Sequence, residues 1–531
     1  MKVLISDNLS PAGAEILENA GLEVDINTGL APEELKKIIG DYDGLVIRSA
    51  TKVTTDLLEA ADNLKVVGRA GIGLDNVDIP AASQRGVVVM NAPDGNATTA
   101  AEHAIAMMMS LSRNIPQATA SMKAEKWEKK SFMGRELTGK TLGIVGIGRI
   151  GAIAASRAQG LKMKVIAFDP HMPKEMVEKM GIELVNLEDL ARRADYITVH
   201  VPLTKETKNL LSTDFFNNMK KGGMFIDCAR GGVCDEVALY EALVNDEIAG
   251  AALDVYAVEP TTFESCPLLK LNNFICTPHL GASTSEAQEN VALAIAEQMA
   301  DYLNKGVVTN AVNVPSVSDD VLAQVGPYVK LGEMLGSLHM QISKGSVEEI
   351  TIEYRGELAD LNTSPVTVAF LKGLFSPILG DAVNYVNAPM IAKERGIKVV
   401  EAKTDDADDF TNVLSITVKT NEGENVLVGT VFGKKEPRLV RLNSFRLEFL
   451  PLGPMLMVTN HDKPGAIGAL GTTLGEAGVN ISSMTVGRAE DSNQNIILLN
   501  TDRLVDDQLL AGVKHIDNIV DAIVLEMAGT I

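Results

Sequence analysis

Residues 141–169, TLGIVGIGRIGAIAASRAQGLKMKVIAFD, constrain this chain more than any other stretch. An apolar run, Leu142–Val145, enters Gly146-Ile147-Gly148-Arg149-Ile150-Gly151; an alanine-rich stretch with helical spacing follows, and a second apolar run, Val165–Phe168, ends on Asp169. This order predicts strand, tight turn, helix, strand. Each part answers a need of a dinucleotide site: Gly146 makes the turn, Gly148 lets backbone approach a pyrophosphate, and Gly151 lets the helix pack close to the sheet. Free amides and partial positive charge at the helix start suit the phosphates. Asp169 is placed to accept hydrogen bonds from the adenosine ribose hydroxyls. It would repel a ribose phosphate, and no arginine directly follows it, so the expected cofactor is NAD rather than NADP.

A chain of 531 residues exceeds one core and suggests three or four domains. Its formal net charge of −22 disfavours nucleic acid and anionic membrane surfaces as partners. A small anionic substrate would need arginine or lysine gathered locally to overcome that field. The four cysteines, Cys228, Cys234, Cys266 and Cys276, form no CxxC and no His/Cys metal spacing, so neither a disulfide framework nor a metal site is expected. The N-terminus MKVLISDNLS leads straight into a strand, and no apolar run has membrane-spanning length; a cytoplasmic protein is expected.

Residues 1–96 read as a first α/β unit: short apolar runs (Val3–Ile5, Leu45–Ile47, Val66–Val67, Val87–Met90) alternate with amphipathic stretches (Pro11–Ala20, Pro32–Ile39). The unit lacks the glycine fingerprint. Arg48 and the segment Arg69-Ala70-Gly71-Ile72-Gly73 fall at carboxyl ends of its strands, where open α/β sheets bind ligands, and arginines beside a Gly-x-Gly turn suit a carboxylate or phosphate. Residues 96–112 predict a helix with a capping threonine, in which the methionines and His103 read as packing residues. The arm Trp127–Leu137 reads as an exposed face or a subunit contact.

Strands at Tyr196–Val201, Met224–Asp227, Ala251–Val255 and Phe274–Thr277 continue the βα order, so residues 97–285 predict a doubly wound sheet around the fingerprint. Residues 286–315, a helix and a short apolar return, predict a segment that leads back to the first unit and makes it discontinuous. Residues 316–452 mix amphipathic helices (Lys330–Ser343) with alternating strands (Leu414–Lys419, Asn425–Val431, Leu439–Leu442), an α+β pattern, with the acid-rich 401–410 as a solvated loop. Residues 453–531 read βαββαβ, the ferredoxin-like pattern.

Three strand ends of the fingerprint unit carry candidates for chemistry: Cys228-Ala229-Arg230-Gly231-Gly232, Asp254 with Glu259-Pro260, and Pro278-His279-Leu280-Gly281. Hydride transfer to or from a hydroxy acid needs a group that moves the hydroxyl proton and a cation that holds the carboxylate. His279 fits the first role because an imidazole titrates near neutrality; Glu259 could orient it and favour its protonated form. Arg230 fits the second with a planar bidentate fork.

GIGRIG with Asp169, CARGG at 228–232, AALDVYAVEP at 251–260 and TPHLGAST at 277–284 resemble the D-isomer-specific 2-hydroxyacid dehydrogenases. Within that family, GRAGIGLDNVD at 68–78 and RNIPQATASMKAEKWEKKSFMG at 113–134 are similar to the long-chain members with an intervening domain and a C-terminal ACT domain, and the resemblance covers the whole chain. It implies a Rossmann-type NAD domain inserted in a flavodoxin-like substrate domain, and NAD-dependent oxidation of 3-phospho-D-glycerate to 3-phosphohydroxypyruvate, the step opening serine biosynthesis. The implied catalytic set is Arg230, Glu259 and His279. Implied cofactor contacts are Arg149, Ile150, Asp169, Cys228, Ala229, Arg230, Asp254, His279, Gly281 and Ala282, with Ile72 near the nicotinamide. Ile72 and Val201 stand where relatives often carry threonine. Arg48, Arg69, Gly71 and Gly73 match substrate-anion positions. In the ACT segment the resemblance implies an L-serine effector site, drawn from His461, Gly465, Asn480 and Ile481 facing across a subunit interface, in a homodimer or homotetramer. Two other functions share much of this pattern. A glyoxylate or hydroxypyruvate reductase predicts a shorter chain, and an NAD-sensing corepressor-like protein predicts negligible turnover; formate dehydrogenases carry glutamine where Glu259 stands.

Overall fold

The computed structural model describes residues 1–315, 319–407, 409–433, 435–489 and 492–529. The first unit is a parallel sheet of β1 (Lys2–Ile5), β2 (Glu23–Ile26), β3 (Gly44–Ile47), β4 (Val66–Arg69) and β5 (Val88–Asn91) in the order β2-β1-β3-β4-β5. That is the flavodoxin-like order. Strand β2 escapes a reading by periodicity because it is an edge strand whose four residues all keep solvent contact. The second unit is a seven-stranded parallel sheet of β6 (Thr141–Val145), β7 (Lys164–Phe168), β8 (Glu183–Leu184), β9 (Tyr196–Val199), β10 (Met224–Asp227), β11 (Gly250–Leu253) and β12 (Phe274–Cys276). Its order is β12-β11-β10-β9-β6-β7-β8, so the chain reverses direction across the sheet beside β6, the strand that enters the glycine turn.

Helix Ala97–Ser112 begins at Asn96 with no side-chain cap, which corrects the expected threonine cap. A threonine caps a different helix: Thr284 Oγ1 accepts from Ala287 N–H and starts Ser285–Lys305. That helix packs against Pro11–Asn19, buries Ile295 and Met299 in the first unit's core, and leads to an antiparallel bridge between Ala311 and Met90. The chain thus enters the first sheet, builds the second, and returns.

Beyond residue 318, ten strands form one sheet: β13 (Val347–Gly356), β14 (Lys398–Thr404), β15 (Asn412–Thr420), β16 (Gly423–Phe432), β17 (Glu436–Leu442), β18 (Phe445–Phe449), β19 (Pro454–His461), β20 (Ile481–Arg488), β21 (Gln494–Thr501) and β22 (Ile519–Glu526). The stretch expected as an acid-rich loop starts instead inside the edge strand β14, where Lys398 and Lys403 interleave with the acids and tie to Glu349 and the Leu361 carbonyl. Strands β19 to β22 with helices Ala466–Glu476 and Asp507–Lys514 make the ferredoxin-like βαββαβ unit, ordered β20-β21-β19-β22. Strand alternation splits its side chains between two cores. Leu456, Val458, Ile497 and Leu499 pack under its own two helices, whereas Met455, Met457, Ile496 and Leu498 pack with Leu331, Leu335 and Leu338 of the long helix Asp319–Ile342. Gln341 completes the join: its amide donates to the Glu526 carbonyl at 2.9 Å and accepts from Glu526 N–H at 2.8 Å, as a neighbouring strand would.

On the same helix His339 is fully buried, and neither ring nitrogen has a partner among the described residues. Burial pushes its imidazole down from 6.5 to about 4. The unfolded chain therefore binds an extra proton between those values, so this contribution to stability is intact above pH ~6.5 and drains as pH falls toward 4. His339→Leu is expected to stabilise this unit by about 1–3 kcal/mol at neutrality, read as a higher melting midpoint, with a gain that grows from pH ~7 to ~5. Melting curves with the same pH dependence in both proteins would contradict this.

Candidate active site

The carboxyl ends of β6 and β7 build the cradle. Gly146 follows β6 with φ +90°, a left-handed conformation that favours glycine, and its N–H donates to the Phe168 carbonyl at 2.9 Å. A Cβ at Gly151 would overlap the Gly146 carbonyl oxygen, so only glycine lets helix Arg149–Gly160 start this close to the turn. At Gly148 nothing lies within 4 Å of where a side chain would stand. The helix start is therefore open to a diphosphate, and the residues present fit a dinucleotide. Asp169 braces the turn as well as pointing to it: one carboxylate oxygen accepts from Ile147 N–H at 3.0 Å and the other from His171 N–H at 2.9 Å. Arg149 pairs with Asp94 at 2.8 Å, Ile150 follows it on the helix's first turn, and Val201 packs against Gly146.

His279, Glu259 and Arg230 stand on three successive loops that touch. His279 Nδ1 lies 2.8 Å from Glu259 Oε2, and Glu259 Oε1 accepts from Tyr256 N–H at 3.0 Å. Nδ1–H donates to this anchored carboxylate, which leaves Nε2 as the ring nitrogen for substrate. The Arg230 loop meets the same segment, because the Gly231 backbone lies so near the Tyr256 carbonyl that a Cβ there could not fit. Buried Cys228 and Ala229 precede Arg230; burial raises the Cys228 thiol, so it stays protonated. Asp254 is 0 % exposed and accepts from the N–H groups of Leu280, at 2.7 Å, and Gly281, at 2.8 Å; Ala282 follows. Burial alone would raise the Asp254 carboxyl, but hydrogen bonds from His103, Thr277 and Leu280 outweigh it and hold the pKa below the usual range.

The first unit supplies cations from across the cleft. Arg48 N–H donates to Asp7 at 2.6 Å and its guanidinium to the Asn8 carbonyl at 3.0 Å. Arg69 folds over Gly71, with its Nε buried and without a hydrogen-bond partner among the described residues. Burial and then the nearby Arg230 push its guanidinium down to about 10. Arg230 reaches over from the second unit to lie against Gly73, donating from Nε to Asp75 at 3.0 Å and from Nη1 to the Ala229 carbonyl at 2.7 Å. Ile72 sits in the same turn, and its carbonyl accepts from Asn91 at 2.7 Å.

Three residues here escaped the sequence reading. Asp75 holds Arg230, and its only signal is an acid two positions past the Arg-Ala-Gly-Ile-Gly turn. Asp227 at the tip of β10 accepts from Ala229 N–H at 2.8 Å, and burial raises its carboxyl to about 7. His103, expected as a packing residue, contacts Thr277 and Asp254, a pairing no spacing could disclose.

The four effector candidates do not meet within one chain. His461 ends β19 opposite Gln494 and Gly465 opens the following helix, whereas Ile481 begins β20 opposite Thr501 with Asn480 just before it, at the far end of the same sheet.

Residues 105–281 match the NAD-binding domain of D-isomer-specific 2-hydroxyacid dehydrogenases, 324–443 match the D-3-phosphoglycerate dehydrogenase intervening domain, and 455–513 match the ACT domain. The chain is 44% identical over 528 residues to D-3-phosphoglycerate dehydrogenase of Methanocaldococcus jannaschii, covering 99% of this chain and 100% of that one. It belongs to the D-3-phosphoglycerate dehydrogenase family. The Bacillus subtilis member of the family is 41% identical, with 99% of each chain covered. Among solved structures, NAD+-bound 3-phosphoglycerate dehydrogenase of Entamoeba histolytica matches 60% of this chain and 99% of that chain at 31% identity, with a TM-score of 0.51. A glyoxylate reductase from Paecilomyes thermophila matches 59% of this chain and 98% of that chain at 26% identity and a TM-score of 0.55. Both cover about the length of the two catalytic units, so family membership at the level of D-3-phosphoglycerate dehydrogenase rests on the full-length relatives and on the intervening domain. The cofactor of this family's NAD-binding domain is NAD.

Proposed function

We propose that the chain catalyses NAD-dependent oxidation of 3-phospho-D-glycerate to 3-phosphohydroxypyruvate, with His279, Glu259 and Arg230 as the catalytic set. The observation that carries this is the His279–Glu259 pair at 2.8 Å on loops abutting the Arg230 loop, facing a first unit lined with arginine. Arg230 grips the substrate carboxylate and polarises the oxygen on the adjacent carbon. Arg48 and Arg69, with the amides of the 69–73 turn, take the other anionic groups; the unpartnered Arg69 Nε is a buried donor that an anion would satisfy. His279 Nε2 accepts the hydroxyl proton, and the Glu259 carboxylate stabilises the imidazolium that forms. Bound NAD supplies the hydride acceptor. Gly146, Gly148, Gly151 and Asp169 would hold it, and Arg149, Ile150, Ile72, Val201, Cys228, Ala229, Asp254, Gly281 and Ala282 would line its site.

Steady-state rates of NADH-dependent reduction of 3-phosphohydroxypyruvate, hydroxypyruvate, glyoxylate and 2-oxoglutarate test the reading. Reduction is the easier direction to follow because the oxidation is uphill near neutral pH in this family. The expected result is the highest kcat/KM for 3-phosphohydroxypyruvate; a preference for glyoxylate, or no turnover with any of the four, would overturn it.

We further read the βαββαβ unit as an L-serine site that needs a second copy of the chain, because His461 and Gly465 lie at one end of the sheet and Asn480 and Ile481 at the other. A homodimer or homotetramer suits the arm beyond residue 126, where Trp127 is 81% and Met133 86% exposed. L-serine is expected to inhibit at millimolar or lower concentration; an unchanged rate would remove the regulatory claim. Four free thiols suit the cytoplasm. Among the described residues no helix is long and apolar enough to cross a membrane.

A further inference from the structure

His103 is not needed to explain the reaction above, yet among the described residues it is the one histidine outside the His279–Glu259 pair whose side chain reaches the loop carrying His279. It comes from helix Ala97–Ser112, which packs against β10, β11 and β12. Its Nε2 lies 3.1 Å from Thr277 Oγ1 and 3.3 Å from Asp254 Oδ1. The Thr277 hydroxyl spends its single proton on Asp254 Oδ1, at 2.5 Å. Both oxygens facing the ring are therefore acceptors, and Nε2 must carry a proton and donate.

Asp254 is the hub of that loop. Its backbone carbonyl accepts from His279 N–H at 2.9 Å, and its carboxylate accepts from Leu280 N–H at 2.7 Å and Gly281 N–H at 2.8 Å. Three successive amides thus converge on one residue. Between them His279 is held at φ 54°, a left-handed backbone that a non-glycine residue keeps only when its surroundings over-determine it. A fully buried carboxylate can serve as such a clamp only while it stays ionised and oriented, and the side chains that hold it so are Thr277 and His103.

We propose that His103 is a positioning residue: through Asp254 and Thr277 it fixes the 277–281 loop so that His279 faces the substrate hydroxyl. The proposal rests on the reading of His279 as the proton-transferring group and not on which 2-oxo acid is the substrate. Without the ring, Asp254 loses a donor in a dry site and takes up a proton more readily, and the amides of Leu280 and Gly281 lose their acceptor's full charge.

The test compares His103→Ala, His103→Gln, Thr277→Val and His279→Ala with the unaltered full-length protein, in NADH-dependent reduction of 3-phosphohydroxypyruvate from pH 5 to 9. The expected result is a 10- to 100-fold lower kcat for His103→Ala and Thr277→Val, with KM for the oxo acid changed less than threefold. In His103→Ala the acid limb of the kcat profile moves to higher pH, because protonation of Asp254 now disarms the loop. His103→Gln, whose amide can donate but does not titrate, regains most of the rate and the original profile. The proposal is overturned if His103→Ala keeps full kcat, if its loss matches only a fall in folded fraction with an unshifted pH profile, or if glutamine fails to rescue a folded protein. Failure of the underlying reading looks different: His279→Ala would then retain activity. If the unaltered protein shows no turnover with this substrate, the same series is run with glyoxylate.

Discussion

Replacing His279 by alanine is expected to lower kcat by about 10²- to 10⁴-fold while leaving NAD affinity unchanged, measured by steady-state rates alongside cofactor titration. The size follows from the role. His279 Nδ1 is committed to Glu259 at 2.8 Å, and Glu259 is itself tied to Tyr256 N–H at 3.0 Å, so the imidazole is a fixed, oriented proton acceptor rather than a swinging side chain. Alanine removes the acceptor and leaves the glycine cradle of β6 untouched. Retention of the rate would show that another group moves the proton. A parallel loss of NAD binding would show that His279 serves the cofactor and not the hydroxyl.

Replacing Arg230 by alanine is expected to cost about 10²- to 10³-fold in kcat/KM, because the guanidinium acts on charge that grows in the transition state. Lysine should rescue little of it. Arg230 uses Nε for Asp75 and Nη1 for the Ala229 carbonyl, two bonds that fix the fork and set Nη2 against Gly73 in the 69–73 turn. A lysine offers one flexible ammonium and cannot keep both anchors while holding a carboxylate. Kinetics of Arg230→Lys within threefold of the unaltered protein would mean that only a positive charge is needed there, and the clamp description would be wrong. Since Asp75 belongs to the first unit and Arg230 to the second, this ion pair also bridges the two walls of the cleft.

Much of this was legible without coordinates where the chemistry is local in sequence. GIGRIG between two apolar runs could make little else than a strand, a tight turn and a helix start, and the turn sits beside the reversal point of the seven-stranded sheet. The ferredoxin-like pattern at the C-terminus was readable for the same reason: each strand and helix carries its own periodicity. Edge strands were harder, as β2 and β8 are short and partly exposed and so lack an apolar signature.

What pairs across distance was not readable. His103 and Thr277 are separated by 174 positions, and Arg230 and Asp75 by 155. Nor does any pattern reveal that the long helix Asp319–Ile342 serves strands on both sides of residue 453, since an apolar helix face states that it will be buried but not against what.

By itself the sequence determined the local devices of this protein: the glycine turn and its acid, the histidine, glutamate and arginine at strand ends, and the succession of α/β and βαββαβ units. Those depend on backbone sterics and hydrophobic periodicity, which act over a few residues. Only the tertiary structure decided which of these devices face one another, because that depends on the packing of whole elements. It carries a carboxylate from the first unit to Arg230, carries His103 from a distant helix to the His279 loop, and leaves the two halves of the effector candidate set at opposite ends of one sheet.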